Sequence, residues 1–121
     1  MEPVTEQLDV GCPVVYGYLR ISVPNSARRA ALTTVLRGYC DRHELVLAGV
    51  FTDTCDDSAP GFAGLIDAIR TTGGYGVVVP SPAHLGSGRY AAQRSAEITG
   101  SGRRLMLIRG ALVDVIARRA R

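Results

Sequence analysis

The chain has no lysine: all fourteen of its basic residues are arginine. Such usage looks like a bias toward GC-rich codons, and it places every positive charge on a planar fork of donors that matches phosphate. Histidine is nearly absent too, with only His43 and His84. Cys12, Cys40 and Cys55 are an odd number with no CxxC pair, so neither a disulfide framework nor a cysteine metal site is expected. Neither histidine stands at ligand spacing from a cysteine, which argues against bound metal. No apolar run approaches the roughly 20 residues that a membrane helix needs. The opening Met1-Glu2-Pro3-Val4-Thr5-Glu6 is acidic and polar, unlike a signal peptide. Free thiols in a reducing, cytoplasmic setting are therefore expected. The formal net charge of +3 is compatible with nucleic acid, but a dedicated DNA binder carries a denser basic stripe.

What is present suits one folded domain. The 121 residues are 46% hydrophobic and mean hydropathy is +0.12, which argues against disorder. Four apolar runs, Val14 to Ile21, Leu45 to Phe51, Gly76 to Val79 and Leu105 to Ile108, are continuous rather than alternating. That pattern suits strands covered on both faces in a parallel sheet. Helical spacing separates them. Leu32, Val35, Leu36 and Tyr39 mark a first helix capped by Asn25 or Ser26. Phe62, Leu65, Ile66 and Ile69 mark a second, ending at Gly73-Gly74. A third fills Arg89 to Ile98, and a last one runs from Ala111 to the end, with Leu112, Val115 and Ile116 inward. The expectation is an α/β fold: three layers, a mainly parallel sheet of four to five strands, and helices on both faces. Residues 1–12 read as a flexible lead-in and 13–121 as the single domain.

The chemistry gathers where strands end. Arg20 and Ser22, two apart at the close of the first strand, project to the same side. A guanidinium beside a hydroxyl joins a phosphate ligand to a candidate nucleophile. Asp53 and the segment from Pro80 to Ser87 also follow strand ends, where ligands of open α/β sheets bind.

In this order the motifs resemble the catalytic domain of the serine recombinases, the resolvase and invertase family. Tyr16-Gly17-Tyr18-Leu19-Arg20-Ile21-Ser22 is similar to that family's strand ending in Tyr-x-Arg-x-Ser. Val50-Phe51-Thr52-Asp53 matches the Asp after its second strand, and Gly61-Phe62-Ala63-Gly64-Leu65 falls on its Arg-x-Gly-Leu helix start. Ala83-His84-Leu85-Gly86-Ser87 falls on its Asp-Arg-Leu-Gly-Arg segment. The resemblance covers about residues 14 to 110. It implies that Ser22 attacks a DNA phosphate, that Arg20 binds that phosphate, and that Asp53 helps order the site. Such chemistry uses no metal and no nucleotide, so no cofactor is expected.

The departures carry equal weight. Phe62, His84 and Ser87 stand where the family has arginines, and Ala83 replaces the acid. His84, Ser87 and Arg89 remain as candidate phosphate contacts, with Arg89 able to substitute only from a loop conformation. Losing one preorganised donor costs on the order of 10²–10³ in rate. Beyond Gly110 only eleven residues follow, a helix of about 16 Å at ~1.5 Å per residue, without a helix-turn-helix. The implied function is a stand-alone serine-recombinase-like domain with impaired or lost strand exchange. It would act through a protein partner or as a homo-oligomer, with weak, nonspecific DNA contact at most. The alternative is an active recombinase or nicking domain that forms a phosphoserine link through Ser22 and borrows a DNA-binding partner. A third class is a small-ligand module using the strand-end crevice. Bland roles stay open beside these: Ser22 as turn or cap chemistry, Arg20 as half of a structural ion pair, and Asp53, Asp56 and Asp57 as solvated loop acids.

Overall fold

The computed structural model describes residues 12–109. Strand β1 spans Val14–Arg20, helix α1 Ser26–Arg42, β2 Val46–Asp53 and α2 Pro60–Thr72. They are followed by β3 Gly76–Val79, a short 3₁₀ turn Pro82–Leu85, α3 Gly88–Gly100 and β4 Arg104–Leu107. The expected lead-in and the helix from Ala111 lie outside the described residues, Cys12 excepted.

Four strands pair in the order β2-β1-β3-β4, all parallel. The α/β expectation is met with four described strands. The order follows from the connections: β1 crosses to β2 on one side, and the chain then returns past β1 to β3 on the other. With right-handed crossovers, reversing direction moves the helix to the opposite face. Accordingly, α1 covers one face, where Leu36 and Cys40 meet Val15, Leu19, Ile21 and Val78. On the other, Phe62, Leu65, Ile66 and Ile69 of α2 and Ile98 of α3 pack on Tyr16, Tyr18, Val77 and Val79. Along β1 the two-residue period is visible: Val15 and Leu19 face α1, whereas Tyr16 and Tyr18 face α2 and α3.

Local chemistry sets the ends. Asn25 caps α1 by accepting from the Arg28 N–H at 2.9 Å, resolving the two expected candidates. Pro60 opens α2, and Gly73 in the left-handed region (φ 71°) closes it. One extra residue, Ala48, bulges out of β2 between the pairs Val15↔Leu47 and Tyr16↔Gly49. The shift brings Arg20 opposite Asp53 at the carboxyl ends.

Two expectations need correction. Val35 shares the apolar spacing that marks α1, yet it is 42% exposed, and the buried positions are Leu36 and Cys40. Leu36 and Cys40 are one turn apart and suffice for a helix lying over two strands; Val35 points off that line. β2 is also less enclosed than a doubly covered strand, with Val46 exposed, because it forms the edge of the sheet.

The thin seam under α1 makes its energetics testable. Leu36→Ala should lower unfolding free energy by about 2–5 kcal/mol, the range for an uncompensated core cavity. Val35→Ala should change it by no more than about 0.5 kcal/mol. Urea unfolding of both variants measures the contrast, and equal losses would mean that α1 sits differently.

Candidate functional site

The connection after β1 runs to β2 and the connection after β3 runs the opposite way to β4, so the crevice between the carboxyl ends of β1 and β3 is the switch point of the sheet. Three segments reach it: residues 20–22 after β1, 53–57 after β2, and the 3₁₀ turn with Ser87 after β3.

Asp53 is buried, at 4% exposure. Its carboxylate accepts from the Tyr18 hydroxyl at 2.6 Å, the Gly61 N–H at 2.7 Å and the Phe62 N–H at 2.8 Å. It therefore serves as a remote cap for α2, whose N-cap residue Ala59 offers no side-chain acceptor. Gly61 is required there, since a Cβ would lie 2.5 Å from the Thr52 carbonyl oxygen and 2.9 Å from Asp53 Oδ1. Burial and the hydrogen bond to Asp53 push the Tyr18 hydroxyl far above the ordinary tyrosine pKa, keeping it a donor. Asp53 thus orders the strand ends, and it is not a solvated loop acid.

Nor is Asp56, which sits at the centre of a charged cluster. Arg94, inward on α3 and only 7% exposed, donates from Nη1 to Asp56 Oδ1 at 3.3 Å and to the Leu85 carbonyl at 3.1 Å. Its Nη2 donates to the Asp56 carbonyl at 2.9 Å. Arg20 Nε lies 3.6 Å from the same Oδ1. The other carboxylate oxygen accepts from Ser87, at 3.1 Å from Oγ and 3.4 Å from N. Desolvation alone would raise the Asp56 pKa. The two Ser87 hydrogen bonds, the Arg20 charge and the Arg94 hydrogen bond outweigh it and hold the carboxyl below its ordinary value.

His84 is drawn in differently. Its Nδ1 accepts from the Arg20 backbone N–H at 3.0 Å, which leaves the ring proton on Nε2. Burial, reinforced by the Arg28 and Arg20 charges, pushes its pKa below the ordinary value. A cationic His84 at neutral pH is thus disfavoured, and the ring offers one neutral donor. Arg89 falls inside α3, which begins at Gly88, and its guanidinium lies over the Tyr90 ring at 5.4 Å. The loop conformation needed for substitution is not formed. Ser22 is exposed just past β1 and, among the described residues, hydrogen bonds with none of these groups. The structure therefore joins Arg20, His84, Ser87 and, through the parallel strand ends, Asp53.

Sequence reasoning missed Arg94 and Tyr90, and it left Asp56 among the solvated loop acids. The signal for Arg94 was its place in the inward stripe of α3 with Ala91, Ser95 and Ile98: an arginine on a buried line needs partners. Its guanidinium lies over the rings of Phe62 and Tyr90, at 5.6 and 5.3 Å. A cation from α3 thus stands beside Phe62, the position where the resembled family has arginine. The Tyr90 hydroxyl donates to Asp57 Oδ1 at 2.8 Å, fastening the same loop to α3. No group of three or more His, Cys, Asp or Glu that would hold a metal ion occurs among the described residues.

No protein-family model matches the sequence, and no curated protein matches it. Among solved structures, the chain is similar to the C-terminal catalytic domain of ISC1926 TnpA, an IS607-like serine recombinase. The TM-score is 0.69 at 12% identity, over 82% of this chain and 69% of that one. The fold is therefore that of a serine recombinase catalytic domain. No described helix is long and apolar enough to cross a membrane.

Two measurements probe the site. Asp53→Ala, which orphans a hydroxyl and two helix N–H groups, should destabilise by about 3 kcal/mol or more, and Tyr18→Phe by about 1.5–3 kcal/mol. The reverse order in denaturant unfolding would remove Asp53 from its capping role. The second concerns pH. Because the folded pKa of His84 is depressed, the unfolded chain takes up the proton first as pH falls. Its contribution to stability is full above about pH 6.5 and is lost below it. His84→Gln should flatten the stability profile between about pH 7 and pH 5; an unchanged slope would show that His84 titrates normally.

Proposed function

We propose that residues 13–121 form one serine-recombinase-like domain in which strand-exchange chemistry is impaired or lost, and which works through a protein partner or further copies of itself. The observation that carries this reading is the placement of Asp56: a carboxylate lies against both inward-facing guanidiniums, Arg94 at 3.3 Å and Arg20 at 3.6 Å. Phosphoryl transfer needs uncommitted donors aimed at the charge that develops in the transition state. Here Arg94 is bound to Asp56 and Leu85, His84 is held neutral, and Ser87 donates to Asp56. Arg20 is the remaining candidate ligand, and each further missing donor costs on the order of 10²–10³ in rate, not additively. Ser22 has no base among these groups to activate it.

One observation favours the alternative of an active domain: Ser22 stands exposed after Arg20 at the strand end, accessible to a DNA backbone. In that case Ser22 is the nucleophile, Arg20 the phosphate ligand and Asp53 the group ordering them. His84, Ser87 and Arg89 are then auxiliary contacts, and no cofactor is required. The solved neighbour's catalytic domain is its protein's C-terminal part, so a DNA-targeting module need not follow β4. Incubation with supercoiled and nicked DNA, followed by denaturing electrophoresis, separates the two readings. The expected result is no protein–DNA adduct above the Ser22→Ala background. An adduct that depends on Ser22 would establish the active enzyme instead.

A further inference from the structure

The Asp56 carboxylate occupies a position with the makings of an oxyanion site. Two guanidiniums face one of its oxygens, and a hydroxyl and an amide at the start of α3 face the other. The amino end of a helix adds partial positive charge in the same direction. Gly86, at φ 108°, leaves the approach open: a Cβ there would stand 2.7 Å from Asp56 Oδ1 and 2.8 Å from Arg94 Nη1. Ser87, beside it, contributes both of its donors to the one Asp56 oxygen.

The carboxylate fills this site loosely. Its four contacts run from 3.1 to 3.6 Å, whereas charge-assisted N–H···O bonds settle near about 2.7–2.9 Å. By contrast, the Asp56 backbone carbonyl is held by Arg94 Nη2 at 2.9 Å, and Asp57 by Tyr90 at 2.8 Å. The loop is thus fastened through the Asp56 carbonyl and the Asp57 side chain, while the Asp56 carboxylate is not closely fitted. Turning the Asp56 side chain outward would leave the loop in place. Arg94 would stay oriented by the Leu85 and Asp56 carbonyls, and two positive charges would face the opening.

We infer that Asp56 is an internal latch: its carboxylate closes a site built from Arg20, Arg94 and Ser87 that takes a tetrahedral phosphate oxyanion when the side chain swings away. The latch rests on the proposed role of Arg20 as a phosphate ligand, and adds that access to it is regulated from within the chain. A resident carboxylate lowers the apparent affinity for an incoming anion by the fraction of molecules whose site is open. A tetrahedral ligand also suits the geometry better than the planar carboxylate, since it presents oxygens in more directions to donors on three segments.

Inorganic phosphate and a short DNA duplex, titrated separately into ¹³C,¹⁵N-labelled protein, test the latch and distinguish a free phosphate from a phosphodiester backbone. Asp56→Asn keeps the shape and removes the charge. It should bind at least one of the two probes about tenfold tighter than the wild type, with the Gly86 and Ser87 amide resonances moving. Adding Arg20→Gln to Asp56→Asn should abolish the gain. Equal affinities in wild type and Asp56→Asn would make the contact an ordinary structural ion pair, and a gain that survives Arg20→Gln would place the anion elsewhere. If Asp56→Asn does not fold, the wild type decides alone. Saturating phosphate should return the Asp56 carboxyl carbon resonance to that of a solvated aspartate, and an unmoved resonance overturns the latch. These results are separable from the adduct experiment: a Ser22-dependent adduct would revise the function and leave a displaceable Asp56 standing, whereas a fixed Asp56 would end the latch alone.

Discussion

A buried carboxylate without a formal cation among its hydrogen-bond donors is the constraint on which the rest of the strand-end geometry depends. Asp53 lies at the end of β2, and its donors are a tyrosine hydroxyl from β1 and two backbone amides of α2. Removing such a group from water is unfavourable unless every lone pair finds a partner. Once satisfied, the arrangement fixes three elements relative to one another: the register of β1 on β2, the entry of α2, and the rotamer of Tyr18. The last of these matters for Arg20, the next residue on the same face of β1. Because Tyr18 is committed to Asp53, Arg20 projects beyond it toward the following loop, where Asp56 waits.

The two acids close in sequence consequently do different things. Asp53 accepts short hydrogen bonds from neutral donors and holds the scaffold. Asp56, three residues on, accepts longer contacts from two guanidiniums and from Ser87. Both distances and partners separate the roles, and neither is apparent from a run of aspartates. The family resemblance implies that Asp53 orders a catalytic site; what the geometry shows is a remote helix cap. It offers nothing comparable for Asp56, whose importance comes from an arginine on α3 that no motif marks.

Much of the fold was legible in the chain because burial writes itself into periodicity. The stripe Phe62, Leu65, Ile66 and Ile69 predicted the buried face of α2, and the short Gly76–Val79 run is buried throughout as an inner strand should be. Legibility failed where an element makes few contacts. On α1 only Leu36 and Cys40 are buried, so Val35 satisfied the spacing rule and still faces outward. It failed again where a polar residue is buried by its partners: Arg94 breaks an apolar stripe, and composition alone does not reveal that Asp56, Leu85, Phe62 and Tyr90 accommodate it. The bulge at Ala48 was equally hidden, although it decides which residues meet at the strand ends.

Arg94 also changes how the missing arginines are to be understood. Set beside the family pattern, Phe62 reads as a simple loss of charge. In three dimensions the charge returns from another helix, over the ring that replaced it. A guanidinium held this way is not equivalent to one at a flexible loop. Buried and bonded to two backbone carbonyls, Arg94 is fixed in orientation, so little conformational entropy remains to be lost when it pairs with a carboxylate. Its charge is met by the Asp56 carboxylate at 3.3 Å. The site is thus better described as preorganised and self-neutralised than as eroded.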